Sequence, residues 1–189
     1  MPNYRRSLVP GGTYFFTLAT HRRQAILTGA ASALLGSCLR QCRRQYPFSI
    51  DAIVLLPDHL HAVWTLPKGD CDYSKRWAII KKTFSQEWLA SGGQEQPMSE
   101  GIRRDRRRGV WQPRFWEHTI RDIDDYRRHM DYIHYNPVKH GYARCPHDWQ
   151  WSSFRRLTNE NVYRPDWGCS CEGNQAVLDF SDIEGHLGE

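Results

Sequence analysis

The chain lacks any long hydrophobic run, and its apolar stretches fall short of the roughly 20 residues that a membrane-spanning helix needs. No apolar signal core follows Met1-Pro2-Asn3-Tyr4-Arg5-Arg6, so the expectation is a cytosolic protein without a membrane partner. Paired C-x-x-C spacing is missing as well. The six cysteines, Cys38, Cys42, Cys71, Cys145, Cys169 and Cys171, are irregularly spaced, which argues against a zinc ribbon or a redox dithiol. There is no internal repeat and no low-complexity segment. What is present is core material: 40% apolar and 13% aromatic residues, eight tryptophans among them, exclude a disordered chain. A length of 189 residues suits one domain with a tail, and such a chain buries roughly 70% of its unfolded surface.

The formal charge is +5, and the basic residues are clustered. Arg5-Arg6, Arg22-Arg23, Arg40 with Arg43-Arg44, Lys75-Arg76, Lys81-Lys82 and the run from Arg103 to Arg108 favour a polyanionic partner, of which nucleic acid is the usual one.

Periodicity gives the order of elements. Thr13 to Thr20, opened by Gly11-Gly12 and rich in aromatic and β-branched residues, reads as a strand. From about Gly29 to Tyr46, Leu34, Leu35, Cys38, Leu39 and Cys42 recur at helical spacing opposite Arg40, Arg43 and Arg44. Phe48 to Leu56 and His59 to Leu66 are strands joined tightly at Pro57-Asp58. Asp72 or Ser74 caps a second helix to about Ala90, with Trp77, Ile80, Phe84 and Trp88 on its buried side. Ser91 to Gly109 reads as a loop, and Val110 to Ile120 as a strand at an edge or bulge because of Pro113. Asp122 caps a third helix from about Ile123 to Tyr135, which Asn136-Pro137 ends. The resulting β-α-β-β-α-β-α order predicts an α+β fold, a ferredoxin-like βαββαβ sandwich with an added helix and an irregular C-terminal extension. The division expected is a domain over 1–157 and a tail over 158–189.

The most informative feature is His59-Leu60-His61. Strand alternation projects both imidazoles from one face, which is a metal-ligand geometry; two histidines hydrogen-bonded on a wet sheet face are the plainer alternative. On the third helix Ile123, Tyr126, Met130 and Ile133 form the apolar stripe, and Tyr132 sits about 140° from its centre at ~100° per residue. Tyr132 is therefore expected off the core, as a candidate nucleophile beside Arg128 and His129. Tyr135 also points away, and geometry alone does not choose between them. Asn136, one turn beyond Tyr132, can supply an oxygen to a site with His59 and His61.

Asn3-Tyr4-Arg5-Arg6, Gly11 to Phe16, Leu56 to Trp64, Trp111 to His118 and Asp131 to Gly141 together resemble the REP-associated tyrosine transposases, relatives of single-tyrosine insertion-sequence transposases. The resemblance spans roughly residues 3 to 155. It implies Tyr132 as nucleophile and His59 and His61 as ligands of a divalent ion, magnesium or manganese, with two imidazoles suiting manganese better. Asn136 stands where insertion-sequence relatives carry a longer glutamine. The implied substrate is single-stranded DNA folded into a palindromic REP hairpin, cleaved through a 5′-phosphotyrosine with release of a 3′-hydroxyl. Arg5, Arg6, Arg76, Lys81 and Lys82 are the expected phosphate contacts, and a nucleoid-associated monomer is expected, with a homodimer as the alternative. Two rival readings remain: a non-catalytic hairpin DNA or RNA-binding module on the same sandwich, and a relaxase-like or replication-initiator nickase that uses the same chemistry.

Overall fold

Two alternating strands set the architecture. In the computed structural model, which describes residues 7–98, 108–171 and 178–187, β1 (Thr13–Ala19) lies between β3 (His59–Thr65) and β4 (Trp116–Thr119), and β2 (Ser49–Leu55) flanks β3. All neighbours are antiparallel and the order is β2-β3-β1-β4, the ferredoxin-like arrangement that the element order predicts. Helices α1 (Gly29–Gln45) and α2 (Tyr73–Ala90) pack together on one face, and α3 (Ile123–Lys139) packs on the other. No helix among the described residues is long and apolar enough to cross a membrane.

The α1/α2 face is built from Tyr14, Phe16 and Leu18 of β1 and Leu60, Ala62 and Trp64 of β3. Against them lie Leu35, Cys38 and Leu39 of α1 and Trp77, Ile80 and Phe84 of α2. Trp64 and Trp77 stack with centroids 3.9 Å apart, and each such side chain contributes roughly 1.5–3 kcal/mol by leaving water. Asp72 caps α2 by accepting from the Lys75 amide. Arg76 corrects an expectation here. It is only 3% exposed, pairs with Asp70 at 2.6 Å, and donates to the carbonyls of Tyr46, Pro47 and Asp72. Its guanidinium locks α2 to the α1–β2 turn and is not a phosphate contact on the surface.

The predicted strand over Val110 to Ile120 contracts to the four residues Trp116–Thr119. Pro113 has no amide to give, and what remains upstream is an isolated bridge between Thr20 and Trp111. Helix α3 begins where predicted, with Asp122 accepting from the Asp124 and Asp125 amides. It does not stop before Pro137 but runs to Lys139. Proline forfeits one helical bond, yet Asn136 and Pro137 are buried, and the Pro137 carbonyl accepts from Tyr142 and Ala143. Tertiary packing outweighs the local break.

The chain after α3 is mostly turns, with two short helices, α4 (Phe154–Asn159) and α5 (Ser181–Leu187). It covers the open edge of β2: the Leu55 amide donates to the Trp151 carbonyl and the Ser153 amide to the Ile53 carbonyl, so that edge is closed against pairing with another chain. Phe180, Ile183 and Leu157 join the core over α3. Ile123, placed in the stripe, is 59% exposed, while Tyr132, expected off the core, is completely buried, packed between Phe15 and His61 of the sheet and Phe180 of the extension. Asp124, Arg127 and Arg128 stay exposed on the opposite side of α3. Of the predicted loop over 91–109, residues 99–107 lie outside the described residues; its ends meet through the Gln96 amide and the Gly109 carbonyl.

Candidate active site

Strand β3 carries His59 and His61 on the α3 face, opposite the side that holds Leu60 and Ala62. Both are buried, with ring centroids 4.9 Å apart. His59 Nδ1 lies 2.6 Å from Asp58 Oδ1; a carboxylate only accepts, so this nitrogen carries the proton. His61 Nδ1 lies 2.8 Å from Thr17 Oγ1, which β1 presents directly across the ladder. Nε2 is therefore the nitrogen each ring can offer to a ligand. Burial pushes the Asp58 carboxyl up, but the His59 hydrogen bond and the charges of His59 and Arg23 outweigh it, and the net shift is downward. Arg23 Nε sits 2.9 Å from Asp58 Oδ2. To reach it, Arg22 and Arg23 both take φ of 54°, a left-handed conformation that costs non-glycine residues on the order of 1–3 kcal/mol each.

Helix α3 brings Tyr132 to this pair. Its ring centroid is 5.1 Å from that of His61, and Phe15 packs against both rings. The other candidate, Tyr135, packs on Phe180 with centroids 6.1 Å apart. Asn136 is completely buried, and neither its amide oxygen nor its amide nitrogen has a hydrogen-bond partner among the described residues. A buried amide without partners costs about 1–3 kcal/mol. Two oriented imidazoles on β3, with an orphaned amide oxygen one turn beyond Tyr132 on α3, suit a borderline divalent cation, so the donor set fits the metal that the resemblance implies. Lys139 Nζ lies 5.3 Å from the Tyr132 ring centroid and pairs with Glu184 at 2.7 Å. His140 packs 5.6 Å from His59.

Sequence reasoning missed Asp58, Thr17, Phe15 and Lys139. Asp58 precedes His59 directly and was visible as a neighbour. Thr17 and Phe15 become neighbours only through the β1–β3 register, which pairs Thr17 with His61. Of the expected phosphate contacts, Arg5 and Arg6 lie outside the described residues. Lys81 and Lys82 line a groove of about 790 Å³ beside α2, with Lys75, Trp111 and Phe115. Lys81 Nζ donates to the Gln112 carbonyl at 2.6 Å.

A ferredoxin-like sheet with a histidine-hydrophobe-histidine strand facing a tyrosine-bearing helix is the architecture of a DNA-processing transposase. The sequence is 42% identical over 181 residues to the REP-associated tyrosine transposase of Escherichia coli (strain K12), with 96% of both chains covered. The solved structure of a REP-associated tyrosine transposase bound to a REP hairpin matches with a TM-score of 0.77 at 42% identity, covering 96% of each chain. No protein-family model matches. On the similarity to the Escherichia coli relative, the chain belongs to the REP-associated tyrosine transposases.

Proposed function

We propose that the chain is a metal-dependent endonuclease and strand transferase acting on single-stranded DNA hairpins of the REP type. The observation that carries this reading is the Tyr132 ring beside His61 within one chain, with centroids 5.1 Å apart. Tyr132 is the nucleophile: its oxygen bonds to phosphorus, the bond to the 3′-oxygen breaks, and that oxygen leaves as a 3′-hydroxyl after taking up a proton. His59 and His61, through Nε2, and Asn136, through its amide oxygen, would hold the divalent ion. A divalent ion bound there would supply positive charge to the non-bridging phosphate oxygens, where negative charge builds. Asp58 and Thr17 fix the two imidazoles so that neither ring reorganises during the step. Lys139 sets positive charge beside the phenol that must become an anion. Reversal by the 3′-hydroxyl of another end rejoins strands.

The hairpin reading draws support from the hairpin-bound relative and from charge. Lys75, Lys81 and Lys82 border the groove beside α2, and the partly exposed Phe115 offers a face for an unpaired base. The nearness of Tyr132 and His61 in one chain favours a site completed by a monomer in the cytoplasm.

The test is incubation of the full chain with a REP-type hairpin oligonucleotide and manganese, followed by a denaturing gel. A covalent protein–DNA adduct is expected, and Tyr132→Phe removes it, with cleavage falling by on the order of 10⁴-fold or more. Full activity in that variant sinks the assignment. Mixing His61→Ala with Tyr132→Phe protein separates monomer from shared sites: recovered cleavage means that sites are shared between chains.

A further inference from the structure

Three cysteines that the sequence scatters are gathered at one surface. Cys145 directly precedes the 3-10 turn Pro146–Asp148 that follows α3, and Cys169-Ser170-Cys171 returns to it from beyond α4. The two segments are pinned by the Ser170 amide and hydroxyl, which both donate to the Arg144 carbonyl at 2.8 and 3.1 Å. Gly168 makes the approach possible. Its φ of +66° is one that side-chain-bearing residues rarely adopt, and a Cβ there would meet Pro146 and Tyr135 at 3.3 Å.

Cys145 and Cys169 form a disulfide, and Cys171 Sγ lies 3.5 Å from Cys145 Sγ. All three sulfurs fall within 4.8 Å of one another. His147, two residues after Cys145, lines the same cavity of about 490 Å³, and its carbonyl is tied down by Arg155 Nε at 2.9 Å. A disulfide uses two sulfurs and leaves the third idle. A tetrahedral thiolate centre uses all three.

We infer that in the reduced chain Cys145, Cys169 and Cys171 bind one zinc ion as thiolates, with the imidazole of His147 as the fourth donor. Thiolate and imidazole are the ligands zinc takes in closed structural sites, where Cys₃His is a standard set. Reduction precedes binding: two molecules of a small thiol reductant give up two electrons and two protons to the Cys145–Cys169 bond and leave as their own disulfide. Zinc then displaces the thiol protons to solvent. The ion would clamp the start of the extension, at Cys145, to the segment at Cys169 and Cys171. This site is independent of the proposed catalytic one.

The experiment uses full-length chain carrying His59→Ala and His61→Ala, so that metal at the catalytic site is not counted. The protein is reduced with excess monothiol, exchanged anaerobically into metal-free buffer, and titrated with zinc or cobalt. One tightly held zinc per chain is expected by elemental analysis, and cobalt is expected to give the sulfur-to-metal charge-transfer bands of a tetrahedral thiolate site. Cys171 is exposed, so Cys171→Ser leaves the fold intact. It should weaken zinc binding by at least the ~10–100-fold that losing a mere outer-shell partner costs, and His147→Ala should weaken it less. The inference is overturned if the reduced chain holds no more zinc than the Cys145→Ser, Cys169→Ser, Cys171→Ser triple variant. It is equally overturned if Cys171→Ser binds zinc as tightly as its parent.

Discussion

The two faces of the sheet are made by the same strands and do opposite work. On the α1/α2 side, Phe16, Leu18, Leu60, Ala62 and Trp64 meet aromatic and aliphatic partners. One residue along each strand, Phe15, Thr17, His59 and His61 turn the other way; there Phe15 meets Tyr132 and His129, His61 meets Tyr132, and Asn136 is buried without a hydrogen-bond partner among the described residues. The first face gains by burying apolar area; the second buries polar groups, which costs free energy wherever a partner is absent. The difference teaches where this molecule keeps its stability and where it keeps its chemistry. A one-residue slip of β3 would exchange the two.

The sharpest way to break that comparison is to substitute one face at a time. His61→Ala is expected to lower metal-dependent cleavage by at least the order of 10²–10³-fold that one lost transition-state donor costs, with hairpin affinity changed far less. Gel assays with and without chelator measure it, and cleavage that survives in chelator would overturn the metal reading. Trp77→Ala should do the converse. Its ring is completely buried against Trp64 and Phe16, so urea unfolding should show a loss of about 3–5 kcal/mol while each folded molecule still cleaves. If His61→Ala destabilises the chain as much as Trp77→Ala, the division of labour between the faces is wrong.

Much of this was legible in the sequence because period-2 and period-3.6 patterns depend on neighbours within a few residues. The order of elements, the caps at Asp72 and Asp122 and the common face of His59 and His61 all follow from such local rules. What failed depended on distant chain. Tyr132 looked solvent-facing because the stripe was set in part by Ile123, which is exposed, whereas α3 turns Tyr132 onto Phe15 and His61 and Phe180 returns from the extension to cover it. Arg76 looked like a surface cation because nothing local reveals the carbonyls of Tyr46 and Pro47 that receive it. The spacing of Cys145, Cys169 and Cys171 looked irregular because their convergence is a property of the folded extension. The metal, the 5′-phosphotyrosine and the monomeric state rest on chemistry and resemblance, and the assays above decide them.

The smallest effect expected is a pH dependence seated on the polar face. His134 is buried on α3; its Nδ1 lies 2.7 Å from the Met130 carbonyl and its Nε2 2.8 Å from Ser153 Oγ. The carbonyl can only accept, so Nδ1 carries the proton and the serine hydroxyl donates to Nε2. Burial is the chief cause that lowers the pKa of His134 to about 3; the Met130 carbonyl opposes it and the charge of Arg156 assists. The unfolded imidazole titrates near 6.5. Between these values the unfolded chain binds a proton that the folded chain refuses, so His134 contributes its full stability above about pH 6.5 and loses it as pH falls toward about 3. His129, whose pKa burial also lowers, adds in the same direction. The Asp125 carboxyl, which burial pushes up but hydrogen bonds from His118 and Arg121 bring down to about 2, acts only at lower pH. Taking the protein from about pH 7 to about pH 5 should therefore cost on the order of 2 kcal/mol for His134 alone. Urea midpoints across that range measure it. His134→Gln, which is less stable at neutral pH, should flatten the curve by one proton's slope, and an unchanged slope would place the titration elsewhere in the molecule.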